Sequence, residues 1–258
     1  MKNYLSLLSH GGKIGGSALG GAIGSLAGPG GTVLGAALGA AVSETCVVVL
    51  DDLANRYLSP KEQQRVAGVA ALAIDGIRER LLFEGQRDDG FFESRNDSPT
   101  AAEELFEGML LTAKQEHEQL KLPYLANFYT NLVFDSSVKR SEANYLLSLA
   151  ESLTFCQFCL LGLVSAKQKT EFSLRRRMWI LGDVLSEETT SIGEQAAYLN
   201  QRQLFYNRPQ TGNSDQRFTA AEALPGYTRL SQIGQRLADL MCLHEIDAPE
   251  LEAVAKAW

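Results

Sequence analysis

The sequence predicts a mostly all-α protein with a small amount of β structure near its C-terminal end. Three observations lead to this fold class: glycines at a helical step near the start, apolar residues at helical spacing through the middle, and one short extended segment between helices in the last third. We expect three parts: a glycine-rich hydrophobic hairpin (1–58), a helical body (59–150) and a helical domain with a small β element (151–258).

Composition limits the classes of protein to which the chain can belong. With 258 residues, 21% charged residues and a net charge of -7, it is typical of a soluble globular protein rather than a polytopic membrane protein. The negative charge argues against sequence-independent nucleic-acid binding, although a local basic patch is compatible with it. The start of the chain is a poor secretory signal, and the scattered cysteines favour a reduced, cytosolic compartment. These are Cys46, Cys156, Cys159 and Cys242.

The first element is the stretch from Gly11 to Leu50, which has only two charged residues and holds twelve of the 23 glycines. A four-residue step places successive glycines on nearly one face of a helix. Each glycine costs about 1 kcal/mol relative to alanine in a helix, so close packing of helix backbones must compensate. The glycines at this step are Gly12, Gly16, Gly20, Gly24 and Gly28, then Gly31, Gly35 and Gly39 in a new phase.

The cluster Gly28–Gly31, which includes Pro29, divides this stretch into two halves. Thr32–Leu50 would measure about 28 Å as a helix, close to one hydrocarbon thickness, and Tyr4–Ala27 is of similar length. The pattern predicts a helical hairpin that inserts in a membrane or packs in an oligomer. A buried hairpin of a soluble protein and a flexible linker are the alternatives.

The middle of the chain is read as helices joined by polar turns. Ser59 followed by Pro60 predicts a helix start, and Thr100–Leu120 predicts a second helix. The polar stretch 85–99 predicts a loop, and we interpret its Asp88–Asp89 pair as solvated rather than catalytic. Further helices are expected from Pro123 and after a cap at Ser141.

The last third predicts apolar helices over Leu153–Ala166 and over "FSLRRRMWILGDVL", followed by "SIGEQAAYLNQRQLFYN" with Ser191 as its cap. After a loop at Arg208–Pro225, the extended segment "YTRLS" leads directly into a glycine-containing helix. This order is typical of a winged helix. It predicts a fold and not an activity, because many winged helices bind protein partners.

The motifs "KLPYLANFYTNLVFD", "SLAESLTFCQFCLLGLV" and "AAYLNQRQLFYN…GYTRLSQIGQRL", over roughly residues 100–243, resemble bacterial Abi-alpha abortive-infection proteins. With the glycine-rich stretch, the chain also resembles the membrane effector of Hailong-type phage-defence systems. The resemblance implies an ion-channel-forming homo-oligomer, a tetramer or larger, at the inner membrane. It also implies inhibition by a single-stranded nucleic-acid or nucleotide ligand made by a partner enzyme. The glycine-rich stretch is the departure from the Abi-alpha pattern.

Residues that could do chemistry are few, and we expect no enzyme, no cofactor and no metal. Cys156 and Cys159 have the spacing of zinc ligands, and Cys242 with His244 would complete a site. Because the first two lie in an apolar helix, we interpret them as buried core cysteines instead. A cysteine–histidine nucleophile has no local signature here, and His117 is read as solvated.

The basic residues offer one candidate binding site, for an oligonucleotide. Arginine binds phosphate oxygens and aromatic faces stack on bases, so a groove of this kind is chemically reasonable. The alternative is a solvated face that pairs with acidic residues or a neighbouring subunit. The candidate residues are Arg175, Arg176, Arg177, Trp179, Arg202 and Arg217.

Three functions remain open from the sequence. The first is a membrane-disrupting defence effector, located on the cytoplasmic side of the inner membrane or in the cytoplasm until triggered. The second is a winged-helix regulator or adaptor that oligomerises through the glycine-rich stretch, which acts as a glycine zipper. The third is a helical enzyme with an unrecognised site. Hydrophobicity concentrated in residues 11–50 favours the first.

Overall fold

The structure, a computed structural model of the chain, describes residues 39–94, 98–166, 174–176, 184–207 and 224–258. These residues are mostly helical with one two-stranded sheet, which confirms the mostly α fold class. They form two compact units, one up to Ser152 and one from Leu153 onward.

The first unit is a set of five α-helices. Helix α2 packs against α3 and α4, while α1 and α5 each pack against α3, so that α3 lies at the centre of the unit. Its core residues Leu105, Phe106 and Met109 are fully buried. The helices are α1 (Ala40–Asn55), α2 (Pro60–Leu81), α3 (Ala101–Gln115), α4 (Leu122–Leu132) and α5 (Arg140–Ser152), with a 3-10 turn at Gln119–Lys121 before α4.

The starts of α2 and α3 are both fixed by capping boxes. Ser59 accepts from the backbone N–H of Glu62, whose carboxylate accepts from the backbone N–H of Ser59. Thr100 and Glu103 make the same reciprocal pair at α3. The start predicted at Ser59 is therefore confirmed, and each box satisfies backbone donors that a helix start leaves unpaired.

Two predicted boundaries in this unit are wrong. Helix α3 ends at Gln115, because Glu116 adopts an extended conformation that turns its side chain inward, so the prediction of helix to Leu120 is too long. Ser141 lies inside α5 rather than capping it. The boundary predicted at residue 58 falls between α1 and α2, which the structure places in the same unit.

The second unit surrounds the apolar helix α6. Helices α7, α8 and α9 all pack against α6, as does β2. The two strands are antiparallel, with Phe205 opposite Leu230, and the Phe205 ring stacks on Trp258 at 5.8 Å between centroids. The elements are α6 (Phe155–Ala166), α7 (Glu187–Gln201), β1 (Phe205–Asn207), β2 (Thr228–Leu230), α8 (Gln232–Leu240) and α9 (Ala248–Ala257), with a 3-10 turn at Leu243–Glu245.

The extended segment predicted at "YTRLS" is confirmed as β2, and Ser231 caps α8 directly after it. Gly234 allows α8 to approach β1, because a Cβ there would lie 2.2 Å from the carbonyl oxygen of Leu204. Three predictions are wrong. Ser186 caps α7 instead of Ser191, Phe205–Asn207 is a strand instead of helix, and Leu174–Arg176 is not helical.

Candidate functional site

Seven of the eight glycines predicted to pack helices lie outside the described residues. They are Gly12, Gly16, Gly20, Gly24, Gly28, Gly31 and Gly35. The eighth, Gly39, is the N-cap of α1 and has a φ of 72°, a conformation that side chains other than glycine rarely adopt. A Cβ at this position would also lie 3.2 Å from Oε1 of Gln86. Glycine is therefore required at the point where the glycine-rich segment joins the described structure.

Helix α1 is a core helix, and it contains the end of the predicted hairpin. Val42, Cys46 and Leu50 are fully buried, and Val49 and Leu53 are 5% and 1% exposed. The helix continues beyond Leu50, where the apolar run of the sequence ends, and Leu53 extends its buried face by one turn. Burial raises the pKa of the Cys46 thiol to about 12, so this cysteine is a neutral core residue.

No single helix within the described ranges is long and apolar enough to cross a membrane. One pair of consecutive helices, Arg140–Ser152 with Phe155–Ser165, passes that test by length and composition when the two are counted together. The apolar residues Leu146 and Ala150 of the first and Phe158 and Leu161 of the second are buried. The core helices of a soluble protein pass the same test, so this pair does not identify a span.

An ion-pair cluster that the sequence did not predict lies in the loop 85–94. The Arg87 side chain is 2% exposed, and its guanidinium binds both carboxylate oxygens of Asp89 at 2.7 and 2.8 Å. It also donates to the carbonyl oxygens of Leu132 and Val138 and lies 4.3 Å from the centroid of the Phe91 ring. We call Arg87, Asp89 and Lys139 the Arg87 cluster.

Asp89 holds the Arg87 cluster together from the solvent side. The Lys139 ammonium reaches its second carboxylate oxygen at 3.1 Å. The hydrogen bonds from Arg87, with a contribution from Lys139, hold the pKa of Asp89 well below its usual range. In agreement with the prediction of a solvated loop, Asp88 and Asp89 are both exposed, but Asp89 is also paired with Arg87 and Lys139. The sequence offered no signal for the burial of Arg87, because the carbonyl oxygens that accept from its guanidinium lie at the end of α4 and beyond it.

A cavity of about 320 Å³ lies beside this cluster. Its walls include Phe91, Ser98 and Arg140 as well as the three cluster residues. The basic groups of the wall are paired, since Arg87 and Lys139 bind Asp89 and Arg140 forms an ion pair with Glu104. The contacts of the Arg87 cluster hold the loop 85–94 against the start of α5. The cluster therefore has a structural role.

A second buried ion pair follows α3. The Lys121 and Glu116 side chains are 2% and 5% exposed and bind each other, and Lys121 also donates to the carbonyl oxygen of Glu151 at 3.4 Å. Among the described residues, Glu116, His117 and Glu118 form a group with potential metal-ligand atoms within 4.8 Å of one another. The Lys121 ammonium already neutralises Glu116, and His117 is 88% exposed. The group is therefore better explained as an ion pair than as a metal centre.

The alternative zinc site does not form in the described structure. Cys156, Cys159, Cys242 and His244 are all described, and they are not among the described groups whose ligand atoms come close enough to hold a metal. Cys159 is 1% exposed on α6, in agreement with its interpretation as a buried core residue, whereas Cys156 is only partly buried, so the same interpretation is wrong for it. Cys242 adopts a left-handed conformation, with φ of 52°, between α8 and the 3-10 turn.

The candidate oligonucleotide residues serve local contacts where the structure describes them. Arg175 donates from Nε to the carbonyl oxygen of Trp258 at 3.3 Å, and its own carbonyl oxygen accepts from Gly226 at 2.9 Å. Arg176 is exposed, and its side-chain stem lies against Gly226. Arg202 caps the end of α7, with its guanidinium 5.1 Å from the Tyr198 ring centroid. Arg177, Trp179 and Arg217 lie outside the described residues.

No protein-family model, curated protein or solved structure matches the chain. The resemblance to Abi-alpha proteins and Hailong-type effectors therefore stays a prediction based on the motifs quoted above.

Proposed function

We propose that the chain is a non-enzymatic, membrane-active effector of bacterial antiviral defence. In this proposal the glycine-rich segment inserts in the inner membrane from the cytoplasmic side, within a homo-oligomer, and makes the membrane permeable to ions. The observation that carries the proposal is the glycine register before residue 39 together with the firm attachment of α1, which follows it, to a folded core.

The burial of α1 limits which residues can enter the membrane. Removing its five buried side chains from the core would cost about 1.5–3 kcal/mol each, on the order of 10 kcal/mol in all. That is comparable to the whole stability of a typical domain, so α1 stays in the core when the effector acts. The inserting part is then confined to the residues before Gly39, and α1 anchors it to the first unit.

The inhibited state would be held by a ligand, as the resemblance implies. A nucleic-acid or nucleotide ligand that binds only the closed oligomer shifts the population toward it, and loss of that ligand releases the glycine-rich segments. Of the candidate arginines that the structure describes, Arg176 and Arg202 are exposed and suited to such a ligand, whereas Arg175 donates to the carbonyl oxygen of Trp258.

A second candidate function is favoured by the second unit. Its strand pair, with α8 following β2 through a single capping residue, supports a winged-helix-like arrangement. In that case the chain is a regulator or adaptor, and the glycine-rich segment only drives its assembly. The two functions differ in whether the membrane becomes permeable.

The experiment compares membrane potential and growth in cells that express the full chain or variants of it. We expect depolarisation by the full chain and none by a deletion of residues 1–38, which leaves the core helix α1 in place. Leucine at Gly16, Gly20 and Gly24 together should also abolish depolarisation by blocking close approach of helices. Gly85→Leu is the matched control, because a Cβ at Gly85 would meet nothing within 4 Å.

Cells are tested with and without the genomic neighbours of the gene and a phage challenge. Depolarisation that persists in the 1–38 deletion would refute the membrane role of the segment. If no condition depolarises the cells while the full chain still forms oligomers, the adaptor function replaces the proposed one.

A further inference from the structure

The first unit exposes two large apolar side chains near Gly39, where the glycine-rich segment joins the described structure. Leu82 is 73% exposed and Phe83 is 89% exposed, directly after α2. Their backbone is held in place, because the N–H groups of Phe83 and Glu84 both donate to the carbonyl oxygen of Arg80 at 2.9 and 3.0 Å. We call Leu82 and Phe83 the apolar tip.

The apolar tip follows the end of α2, and the start of α1 lies close to the loop that follows this tip. The two helices are joined by only four residues, 56–59, and Gly39 lies against Gln86. Phe83 precedes Gln86 by three residues, so their Cα atoms are at most about 11 Å apart. Gly39, the first described residue, therefore lies near the part of the chain that carries the apolar tip.

The charged groups around the apolar tip carry no excess of positive charge, since Arg78 and Arg80 are both paired and Glu79 is exposed. Arg80 pairs with Glu84 and its guanidinium also lies 4.2 Å from the centroid of the Phe134 ring. Arg78 pairs with Asp75 at 2.9 Å. The surroundings therefore offer no excess positive charge for anionic lipid head groups, and the attraction to a membrane would be apolar.

We propose that the apolar tip inserts in the surface of the bilayer that receives the glycine-rich segment. This inference rests on the proposed function and adds the face by which the folded first unit meets the lipid. If residues before Gly39 enter the membrane, the short path from Gly39 through Gln86 brings Leu82 and Phe83 to the interface. Leucine and an aromatic ring are side chains suited to that depth.

The test measures co-sedimentation of the full chain with vesicles, one set of phosphatidylcholine alone and one with phosphatidylglycerol added. Dye leakage is recorded in the same samples. Leu82→Ser with Phe83→Ser should lower the partition coefficient about tenfold or more, because the apolar transfer of two side chains is lost. Binding of the unaltered chain should not be strengthened by the anionic lipid or by low salt, since the surroundings of the apolar tip carry no excess positive charge.

Two controls make the test specific. Tyr57→Ser removes a side chain that is 96% exposed in the connection between α1 and α2, at the other end of α2 from the apolar tip. This substitution should leave the partition coefficient unchanged. Exchanging the two residues, with Leu82→Phe and Phe83→Leu, keeps the apolar area and should keep binding. Thermal melting confirms that the exposed substitutions leave the fold intact.

The outcomes separate the inference from the proposed function. Equal partition of the double serine variant and the unaltered chain, with leakage present, overturns the inference and leaves the proposed function standing. If the double serine variant loses oligomer mass but keeps its partition coefficient, the apolar tip is a contact between two copies of the chain. This outcome also overturns the inference. Reduced partition of that variant without leakage by the unaltered chain supports the inference and contradicts permeabilisation. If the unaltered chain does not bind vesicles, both fail.

Discussion

Arg87 shows how much a single loop residue can contribute to the first unit. Its guanidinium is nearly inaccessible to solvent and has four hydrogen-bonded or ionic contacts, of which Asp89 supplies the only described charge of opposite sign. Replacing that partner leaves a buried positive charge without compensation, which is more costly than losing an exposed ion pair.

We therefore expect Asp89→Asn to lower the free energy of unfolding by roughly 3 kcal/mol, the low end for a buried pair, because the Asp89 side chain is still 24% exposed. Urea denaturation followed by circular dichroism measures this. Asp88→Asn changes an exposed neighbour and should have an effect within about 0.5 kcal/mol. Equal effects of the two substitutions would contradict the role given to Asp89.

The difference in stability between the unaltered chain and Asp89→Asn should also depend on pH. Because the folded state lowers the pKa of Asp89, its contribution is fully present above the unfolded value of about 3.9 and is lost as pH falls toward the folded value. The difference in stability between the unaltered chain and Asp89→Asn should therefore be constant near neutral pH and shrink below about pH 4.

At the scale of elements, close approach of backbones in the second unit depends on two glycines. A Cβ at Gly234 of α8 would lie 2.2 Å from the carbonyl oxygen of Leu204, and one at Gly162 of α6 would lie 2.3 Å from that of Leu243. Neither distance is tolerated without moving the helix. Gly193 of α7 has no atom within 4 Å of the same position.

Alanine at Gly234 or Gly162 should therefore destabilise the chain by about 1–3 kcal/mol through overpacking. Alanine at Gly193 should stabilise it by up to about 1 kcal/mol, since alanine favours a helix. Differential scanning calorimetry distinguishes the two signs. A loss of stability in Gly193→Ala, or none in Gly234→Ala, would show that packing of these helices differs from that described.

The start of α2 and the end of α3 show what the sequence could and could not predict. Apolar spacing found the helices, and Ser59 with Pro60 gave the start of α2 correctly, because capping and periodicity are local. Helix α3 ends early at Gln115 because Glu116 turns to Lys121, a contact across the following turn. The burial of α1 and the backbone acceptors of the Arg87 guanidinium depend on partners more than forty residues away, which no local pattern encodes.

The candidate site was predictable to a similar degree. Gly39 was expected to be a packing glycine, and the structure gives it a different reason to be glycine, a positive φ beside Gln86. Arg175 was expected in a helix, but it lies in a non-helical stretch bound to the backbone of Trp258. Composition alone cannot separate a membrane helix from a core helix, so the apolar residues of α1 were equally compatible with both.

At the scale of the whole molecule, the division into two units predicts that the first unit can fold on its own. The first unit has its own core, built on α3, and every helix from α1 to α5 packs within it. A fragment of residues 39–152 contains the whole described core of this unit, including the buried face of α1. A core of this kind is sufficient for independent folding in domains of similar length.

We expect the fragment 39–152 to unfold cooperatively with native helix content, measured by circular dichroism during urea denaturation. Two matched fragments make the argument specific. The fragment 51–152 lacks Val42, Cys46 and Leu50, which are fully buried, and should lose most of its stability because each truncation leaves unfilled core. The fragment 39–132 lacks α5, whose buried Leu146 and Ala150 belong to the same core, and should also fail. Cooperative unfolding of the fragment 51–152 would mean that α1 is dispensable, and with it the argument that α1 stays in the core while the glycine-rich segment inserts.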